Sequence, residues 1–178
     1  MSLRNKKIVV TGGSRGLGLG LVEALVEQGA SVTVVARGVE ALDAVGARLG
    51  VATIRADVAE EGAAYHILSE IRPDVVVLNA GATPRMGRLD QLSWEDFSIA
   101  WETDVKAGLY WLQAALNLPL KPGSLVLVGS SGAAVTGSQL SGGYGGAKRM
   151  LWFWRSTPTA FRWRRSSASA FRRSCHGR

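Results

Sequence analysis

The feature that most constrains the fold is a glycine-rich loop between a short apolar run and a helical pattern. Residues 7–11 (Lys-Ile-Val-Val-Thr) are apolar and β-branched, which predicts a buried parallel strand. Residues 12–18 form the loop, and apolar residues at helical spacing then continue to Gly29. Glycines here allow backbone amides to approach a pyrophosphate at the helix N-terminus. This order of strand, loop and helix favours a dinucleotide site over an ordinary glycine turn.

The residues that follow alternate between strand and helix patterns. Apolar strands are predicted at 31–36, 51–56, 74–79 and 124–128. Amphipathic helices are predicted at 39–49, about 60–72 and about 93–117. Such alternation indicates βαβ units with right-handed crossovers on a parallel sheet. We therefore predict an α/β fold of the Rossmann type, a doubly wound parallel sheet with helices on both faces and ligands at the carboxyl ends of its strands.

The end of the second predicted strand bears on the choice of nucleotide. NAD sites usually carry an acid about 20 residues after the glycines, where it holds the ribose hydroxyls. Here the stretch is Val35-Ala36-Arg37-Gly38, and the first acid is Glu40. Arg37 and Arg15 carry guanidinium groups suited to two oxygens of a 2′-phosphate, although the alternative is two solvated surface arginines. NADP is therefore predicted in preference to NAD.

Five motifs, in order along residues 5–153, resemble the short-chain dehydrogenase/reductase family. They are a Thr-Gly-x-x-x-Gly-x-Gly loop, an acid after the third strand, Asn-Ala-Gly after the fourth, a serine, and Tyr-x-x-x-Lys. Their positions in this chain are Thr11, Gly12, Gly16 and Gly18; Asp57; Asn79, Ala80 and Gly81; Ser131; and Tyr144 and Lys148. The resemblance implies an oxidoreductase that transfers a hydride between NADP(H) and a carbonyl/alcohol substrate.

The chemistry of these residues supports the same roles. Tyr144 and Lys148 are four residues apart and share one face of a helix. A phenol keeps its proton at neutral pH, but a nearby ammonium and a cationic nicotinamide favour the phenolate. Tyr144 can then exchange a proton with a substrate oxygen while hydride moves at the nicotinamide. Ser131 would hydrogen-bond the same oxygen, and Lys148 would also hold the ribose hydroxyls.

The resemblance also supplies a cofactor-binding set and exposes two departures. The predicted set is Gly12, Ser14, Arg15, Gly16, Leu17, Gly18, Arg37, Asp57, Val58, Asn79, Ala80, Gly81, Tyr144 and Lys148. Asp104 stands where the family often has an asparagine, so it is a fourth catalytic candidate. A carboxylate accepts hydrogen bonds but does not donate them, which puts the family's proton relay in doubt. The second departure is Gly145-Gly146 inside the catalytic helix, where each glycine costs up to about 1 kcal/mol relative to alanine.

The charge distribution divides the chain at residue 154. The net charge is +7, yet residues 1–154 hold equal numbers of acids and bases, and the excess is seven arginines in 155–178. A basic tail with aromatic residues is one pattern of nucleic-acid or anionic-lipid binders. We favour a frameshift near codon 154, because with CGN for Arg155 and AGY for Ser156 the shifted frame can continue Phe-Leu-Ala-Glu. The predicted domains are thus a catalytic Rossmann domain at 1–154 and an out-of-frame or disordered tail at 155–178, with no nucleic-acid or membrane partner.

The tail hypothesis has a functional consequence. The chain as written lacks the family's sixth and seventh strands and the substrate-covering segment between them. Weak or absent turnover is therefore expected, and a non-catalytic NADP-binding or regulatory protein is the alternative function. Comparing the nucleotide sequence in both frames tests the frameshift.

The remaining observations concern location and assembly. Cys175 is the single cysteine, no apolar run approaches about 18 residues, and no signal peptide is evident, so a cytoplasmic location is expected. His66 lacks metal-ligand neighbours, and no metal site is predicted. An apolar stripe on the long predicted helix comprises Trp94, Phe97, Trp101, Val105 and Leu109. The resemblance implies that this helix and the Tyr-Lys helix form the interface of a homodimer or homotetramer that acts on a small molecule.

Overall fold

The computed structural model of the protein describes residues 2–121, 124–129 and 140–155. Its strands are β1 (Lys7–Thr11), β2 (Ser31–Ala36), β3 (Ala52–Arg55), β4 (Val75–Leu78) and β5 (Leu125–Val128). Its helices are α1 (Gly16–Glu27), α2 (Val39–Leu49), α3 (Ala63–Ile71), α4 (Trp94–Ala100), α5 (Lys106–Asn117) and α6 (Gly142–Arg155). Helix α4 continues into α5 through a π-helical turn at Trp101–Val105, hereafter the π turn. In these ranges, no helix combines the length and apolar character that a membrane crossing requires.

The five strands form one parallel sheet in the order β3-β2-β1-β4-β5. The predicted doubly wound Rossmann-type fold is therefore confirmed. The direction of strand addition reverses between β1 and β4, and this reversal opens a crevice at the carboxyl ends of those two strands. The candidate site lies there.

Apolar side chains cover both faces of the sheet. One layer packs helices α1 and α2 on Ile8 and Val10 of β1. The other packs α3 and α5 on Val9 of the same strand. Successive residues of β1 thus enter opposite cores, which explains why Ile8, Val9 and Val10 are all apolar.

The predicted elements occur at their expected places, with ends that shift by up to about three residues. The helix expected from residue 60 begins at Ala63, after Gly62 in a left-handed conformation. The long helix expected at 93–117 spans α4, the π turn and α5, and the Ser93 hydroxyl caps it by accepting the N–H of Asp96 at 3.1 Å. The π turn breaks the regular period expected of the apolar stripe. Trp94 is 75% exposed and is not a core residue.

Asp74 joins three segments at the edge of the sheet opposite the crevice. Its carboxylate accepts the N–H of Lys7 at 2.9 Å and lies 3.2 Å from Lys121 Nζ and 3.5 Å from Lys6 Nζ. Burial raises the pKa of Asp74, but the Lys7 hydrogen bond and the two ammonium groups outweigh it, and the pKa is lowered overall.

Candidate active site

The loop after β1 lies directly against the loop after β4. The N–H of Gly12 donates to the Val35 carbonyl at 2.8 Å, which fixes where the loop leaves the sheet. A Cβ at Gly18 would overlap the Gly12 carbonyl oxygen and the Asn79 side-chain amide. Glycine at position 18 is therefore required for the close approach of α1 to both loops.

Helix α1 presents an uncapped N-terminus to the crevice. No side chain caps it at Arg15, and its first turn contains no acidic residue. Leu17 is 91% exposed. The first amides of a helix lack partners within the helix, and the helix dipole favours an anion beside them. This end of α1 therefore fits a pyrophosphate group.

Thr11 and Asn79 hold the two loops together. The buried Thr11 hydroxyl donates to the Val77 carbonyl at 3.3 Å and accepts the N–H groups of Asn79 and Ala80 at 3.0 and 3.1 Å. The Asn79 amide donates to the carbonyls of Thr11 and Gly12 at 3.3 and 3.2 Å. The Asn-Ala-Gly motif thus fixes the floor of the crevice.

Tyr144 and Lys148 lie on one face of α6, as their spacing predicts. Lys148 Nζ is 5.5 Å from the centre of the Tyr144 ring. Both side chains border the crevice. Ser131, the third predicted catalytic residue, falls outside the described residues.

Asp104 contacts Lys148 from the π turn. Its Oδ2 lies 2.9 Å from Lys148 Nζ, and the two side chains are 0% and 11% exposed. Its Oδ1 accepts the N–H of Ala82 at 2.7 Å. Within the described part of the chain, no hydrogen bond of good geometry reaches Oδ2, so its interaction with the ammonium is one of charge. Asp104 thus fastens the loop after β4 to α6 and balances the charge of Lys148.

All fourteen residues of the predicted cofactor-binding set line one open cleft of about 660 Å³. The structure thereby brings together residues from four strand ends and from α6. Asp104 is not part of the lining and lies behind Lys148. Further lining residues, absent from the sequence prediction, are Val35, Ala36, Gly38, Ala41, Ala56, Ala82, Thr83 and Thr103. Ala36, Gly38, Ala56 and Ala82 directly adjoin a residue of the predicted set, so the rule that ligands bind at strand ends would have found them. Thr103 depends on the π turn.

Arg37 and Asp57 face each other at the outer end of the cleft. Arg37 Nη1 lies 3.6 Å from Asp57 Oδ2, and the side chains are 66% and 43% exposed. A pair this exposed is weak and readily exchanged for another partner. Asp57 is held separately, because its Oδ1 accepts the N–H of Ala59 at 2.9 Å.

The parallel sheet thus brings the glycine loop and the Tyr-Lys pair to one cleft. Residues 6–154 match the family model described as short chain dehydrogenase. The chain therefore belongs to the short-chain dehydrogenase/reductase family.

Curated relatives of this chain are named as oxidoreductases or reductases, and they are longer than this chain. Oxidoreductase asL5 of Sarocladium schorii is 33% identical over 161 residues, which are 84% of this chain and 63% of that protein. The 3-oxoacyl-[acyl-carrier-protein] reductase FabG of Chlamydia pneumoniae is 32% identical over 162 residues, 83% of this chain and 64% of that protein. The NADPH-dependent pterin aldehyde reductase of Arabidopsis thaliana is 32% identical over 145 residues, 73% and 60% of the two chains. The chain thus spans about three fifths of the length of these relatives.

Solved structures share the fold. A short chain dehydrogenase/reductase family protein has a TM-score of 0.75 at 22% identity, over 85% of this chain and 66% of that chain. The 3-oxoacyl (acyl-carrier-protein) reductase of Agrobacterium tumefaciens C58, crystallised with NADP bound, has a TM-score of 0.74 at 24% identity, over 84% and 62% of the two chains. At this level of identity the likeness concerns the fold.

Proposed function

We propose that the protein is an NADP-dependent oxidoreductase that transfers a hydride between NADP(H) and a carbonyl/alcohol pair. One observation carries this proposal: Tyr144 and Lys148 line the same cleft as the glycine loop and Arg37. A proton-transfer pair at one end and phosphate-binding groups at the other are what such a reaction needs. NAD is the less favoured cofactor, since no acid stands at the end of β2.

The residues of the cleft divide into four groups along the cofactor. The N-terminus of α1 would bind the pyrophosphate, and Arg15 and Arg37 would bind the 2′-phosphate. Asp57 and Val58 would contact the adenine end. Asn79–Gly81, with Lys148, would hold the nicotinamide riboside, which supplies or receives the hydride.

The proton would move through Tyr144. In reduction its hydroxyl donates a proton to the carbonyl oxygen, and in oxidation the phenolate accepts the proton of the alcohol. The Lys148 ammonium lies 5.5 Å from the centre of the Tyr144 ring, beside the group that would exchange the proton. Ser131 would orient the same substrate oxygen. Asp104 would hold the Lys148 ammonium in place. This role differs from that of the family's asparagine, whose amide takes part in the proton relay.

A non-catalytic NADP-binding or regulatory protein is the second candidate. The observation that favours it is the ion pair of Lys148 with Asp104, whose charged atoms lie 2.9 Å apart, because it engages in the fold a lysine that the reaction would use. In this second candidate function the chain binds NADPH and turns over weakly or not at all.

Binding and turnover together test the two candidates. NADPH and NADH affinities of the purified chain are measured by fluorescence, and a panel of aldehydes and ketones is assayed for NADPH oxidation. We expect NADPH to bind about tenfold more tightly than NADH. Slow turnover that Tyr144→Phe abolishes without weakening binding supports the enzyme. Binding without any turnover supports the second candidate, and absence of nucleotide binding contradicts both.

A further inference from the structure

The π turn directs two side chains onto α6, and only one of them was expected from the sequence to have a role. Asp104 reaches Lys148, as described above. Trp101, three residues earlier, donates its indole Nε1–H to the carbonyl of Gly143 at 3.0 Å. Gly143 directly precedes Tyr144. Trp101 itself is not part of the cleft lining.

The turn of α6 that carries Tyr144 is intrinsically weak. Four glycines surround Tyr144, at positions 142, 143, 145 and 146. Glycine is the poorest helix former after proline, and the first turn of α6 holds no acidic residue that would favour its N-terminus. The order of this turn must therefore come from tertiary contacts.

Those contacts come from α4 and the π turn. A Cβ at Gly143 would overlap the backbone of Phe97 in α4. A Cβ at Gly146 would lie 3.1 Å from Cζ2 of Trp101. Gly143 and Gly146 thus let α4 and the indole approach α6 closely, which accounts for Gly146 in the Gly145-Gly146 departure noted in the sequence.

We propose that Trp101 is a positioning residue for Tyr144. Its indole N–H fixes the carbonyl that precedes Tyr144, and its ring packs on the glycine face two residues beyond it. Asp104 fixes Lys148 one helical turn further along, so a single π turn holds both members of the pair. The proposal rests on the proposed function, in which Tyr144 moves the proton, and it requires a test that does not depend on turnover alone.

Nuclear magnetic resonance of ring-labelled tyrosine provides that test. The chain contains three tyrosines, so the Tyr144 signal is identified as the one lost in Tyr144→Phe. Trp101→Phe keeps an aromatic ring and removes the N–H donor. Trp111→Phe is the matched control, because Trp111 Nε1 donates to a backbone carbonyl, that of Val58, at 3.1 Å elsewhere in the fold.

The expected results differ between the two variants. Trp101→Phe shifts or broadens the Tyr144 signal and leaves that of Tyr65 unchanged, whereas Trp111→Phe leaves the Tyr144 signal as in the wild type. A Tyr144 signal that is identical in the wild type and in Trp101→Phe would overturn the proposal. Should Trp101→Phe fail to fold, benzothienylalanine at position 101 removes the N–H and keeps the shape of the indole.

Kinetics separate this proposal from the proposed function. Where the wild type turns over, Trp101→Phe lowers kcat about tenfold and keeps the KM for NADPH within about twofold, because the reacting group is displaced and the cofactor contacts remain. A rise in KM with unchanged kcat would count against a positioning role. Complete inactivity of the wild type contradicts the enzyme assignment, and the Tyr144 signal then still decides whether Trp101 positions Tyr144.

Discussion

The ammonium of Lys148 lies 2.9 Å from the carboxylate of Asp104, and the carboxylate is fully buried. Forty-four residues separate the two along the chain, and the pair joins α6 to the π turn. Removing two charges from water is costly, and their mutual attraction, together with the hydrogen bond that the Ala82 N–H donates to Asp104, offsets that cost. Removing one partner should therefore lower the free energy of unfolding more than removing both partners.

A double-mutant cycle measures this coupling. Lys148→Met leaves Asp104 buried without its cation, and we expect the free energy of unfolding in urea to fall by about 3–5 kcal/mol. Adding Asp104→Asn should restore most of that loss, because the amide carries no charge. Additive effects of the two substitutions would contradict the coupling. Asp90→Asn is the control: its partner Arg88 is 60% exposed and Asp90 is 61% exposed, so the loss should stay below about 1 kcal/mol.

Two of the three glycines of α1, Gly18 and Gly20, give a matched pair of substitutions. Gly18→Ala introduces a Cβ that overlaps the Gly12 carbonyl and the Asn79 amide, so we expect it to abolish nucleotide binding and to lower the melting temperature. Gly20→Ala meets no atom within 4 Å and should stabilise the helix by up to about 1 kcal/mol. Thermal unfolding and NADPH titration of both variants check this. Equal behaviour of the two would mean that α1 does not approach the loops as described.

Under the proposed function, the outer end of the cleft selects NADPH over NADH. We expect Arg37→Ala to weaken NADPH binding about tenfold, which corresponds to about 1.4 kcal/mol, and to leave NADH binding unchanged. Arg48→Ala should change neither affinity, because Arg48 is not part of the cleft lining. Its guanidinium pairs with the Glu23 carboxylate at a distance of 2.6 Å. An equal loss for both nucleotides in Arg37→Ala would show that Arg37 does not recognise the 2′-phosphate.

Asp74 predicts a pH dependence of stability. Its pKa is lowered in the folded state, so its contribution is complete above the pKa of a free aspartate, about 3.9. The contribution is lost as the pH falls below that value towards the folded pKa. We expect Asp74→Asn to be less stable than the wild type by about 1 kcal/mol at pH 7 and the difference to shrink at pH 3. Urea unfolding at both pH values measures it. If the stability difference between the wild type and Asp74→Asn grew on acidification, the pKa of Asp74 would be raised in the folded state and not lowered.

Local patterns in the sequence predicted most of the fold. Strand β1, its glycine loop and α1 follow one another directly, and apolar runs such as Val75–Leu78 have no other suitable environment than a parallel sheet. The order of the five family motifs along the chain then indicated which strand ends contribute to the site. Because carboxyl ends of parallel strands share one edge, the whole predicted cofactor set lines one cleft.

The contacts that the sequence did not predict join segments that are far apart. The pairing of Arg37 with Asp57 depends on the distance between the ends of β2 and β3. The Trp101–Gly143 hydrogen bond depends on how the π turn packs against α6. The π turn has no signature in composition or period, yet it decides that Asp104 and Trp101 both reach α6. The role of Ser131, the frameshift near codon 154, the cytoplasmic location and the homodimer or homotetramer stay predictions.

The central place of β1 has a consequence for biosynthesis. Of the five strands it is synthesised first, but one of its two neighbours, β4, begins 64 residues after the end of β1. At about 5–20 residues per second, that flank of β1 waits about 3–13 s for its partner. During that interval the nascent chain exposes one unpaired edge of a strand whose central residues, Ile8–Val10, are all apolar, and we expect a requirement for molecular chaperones that the purified protein does not share.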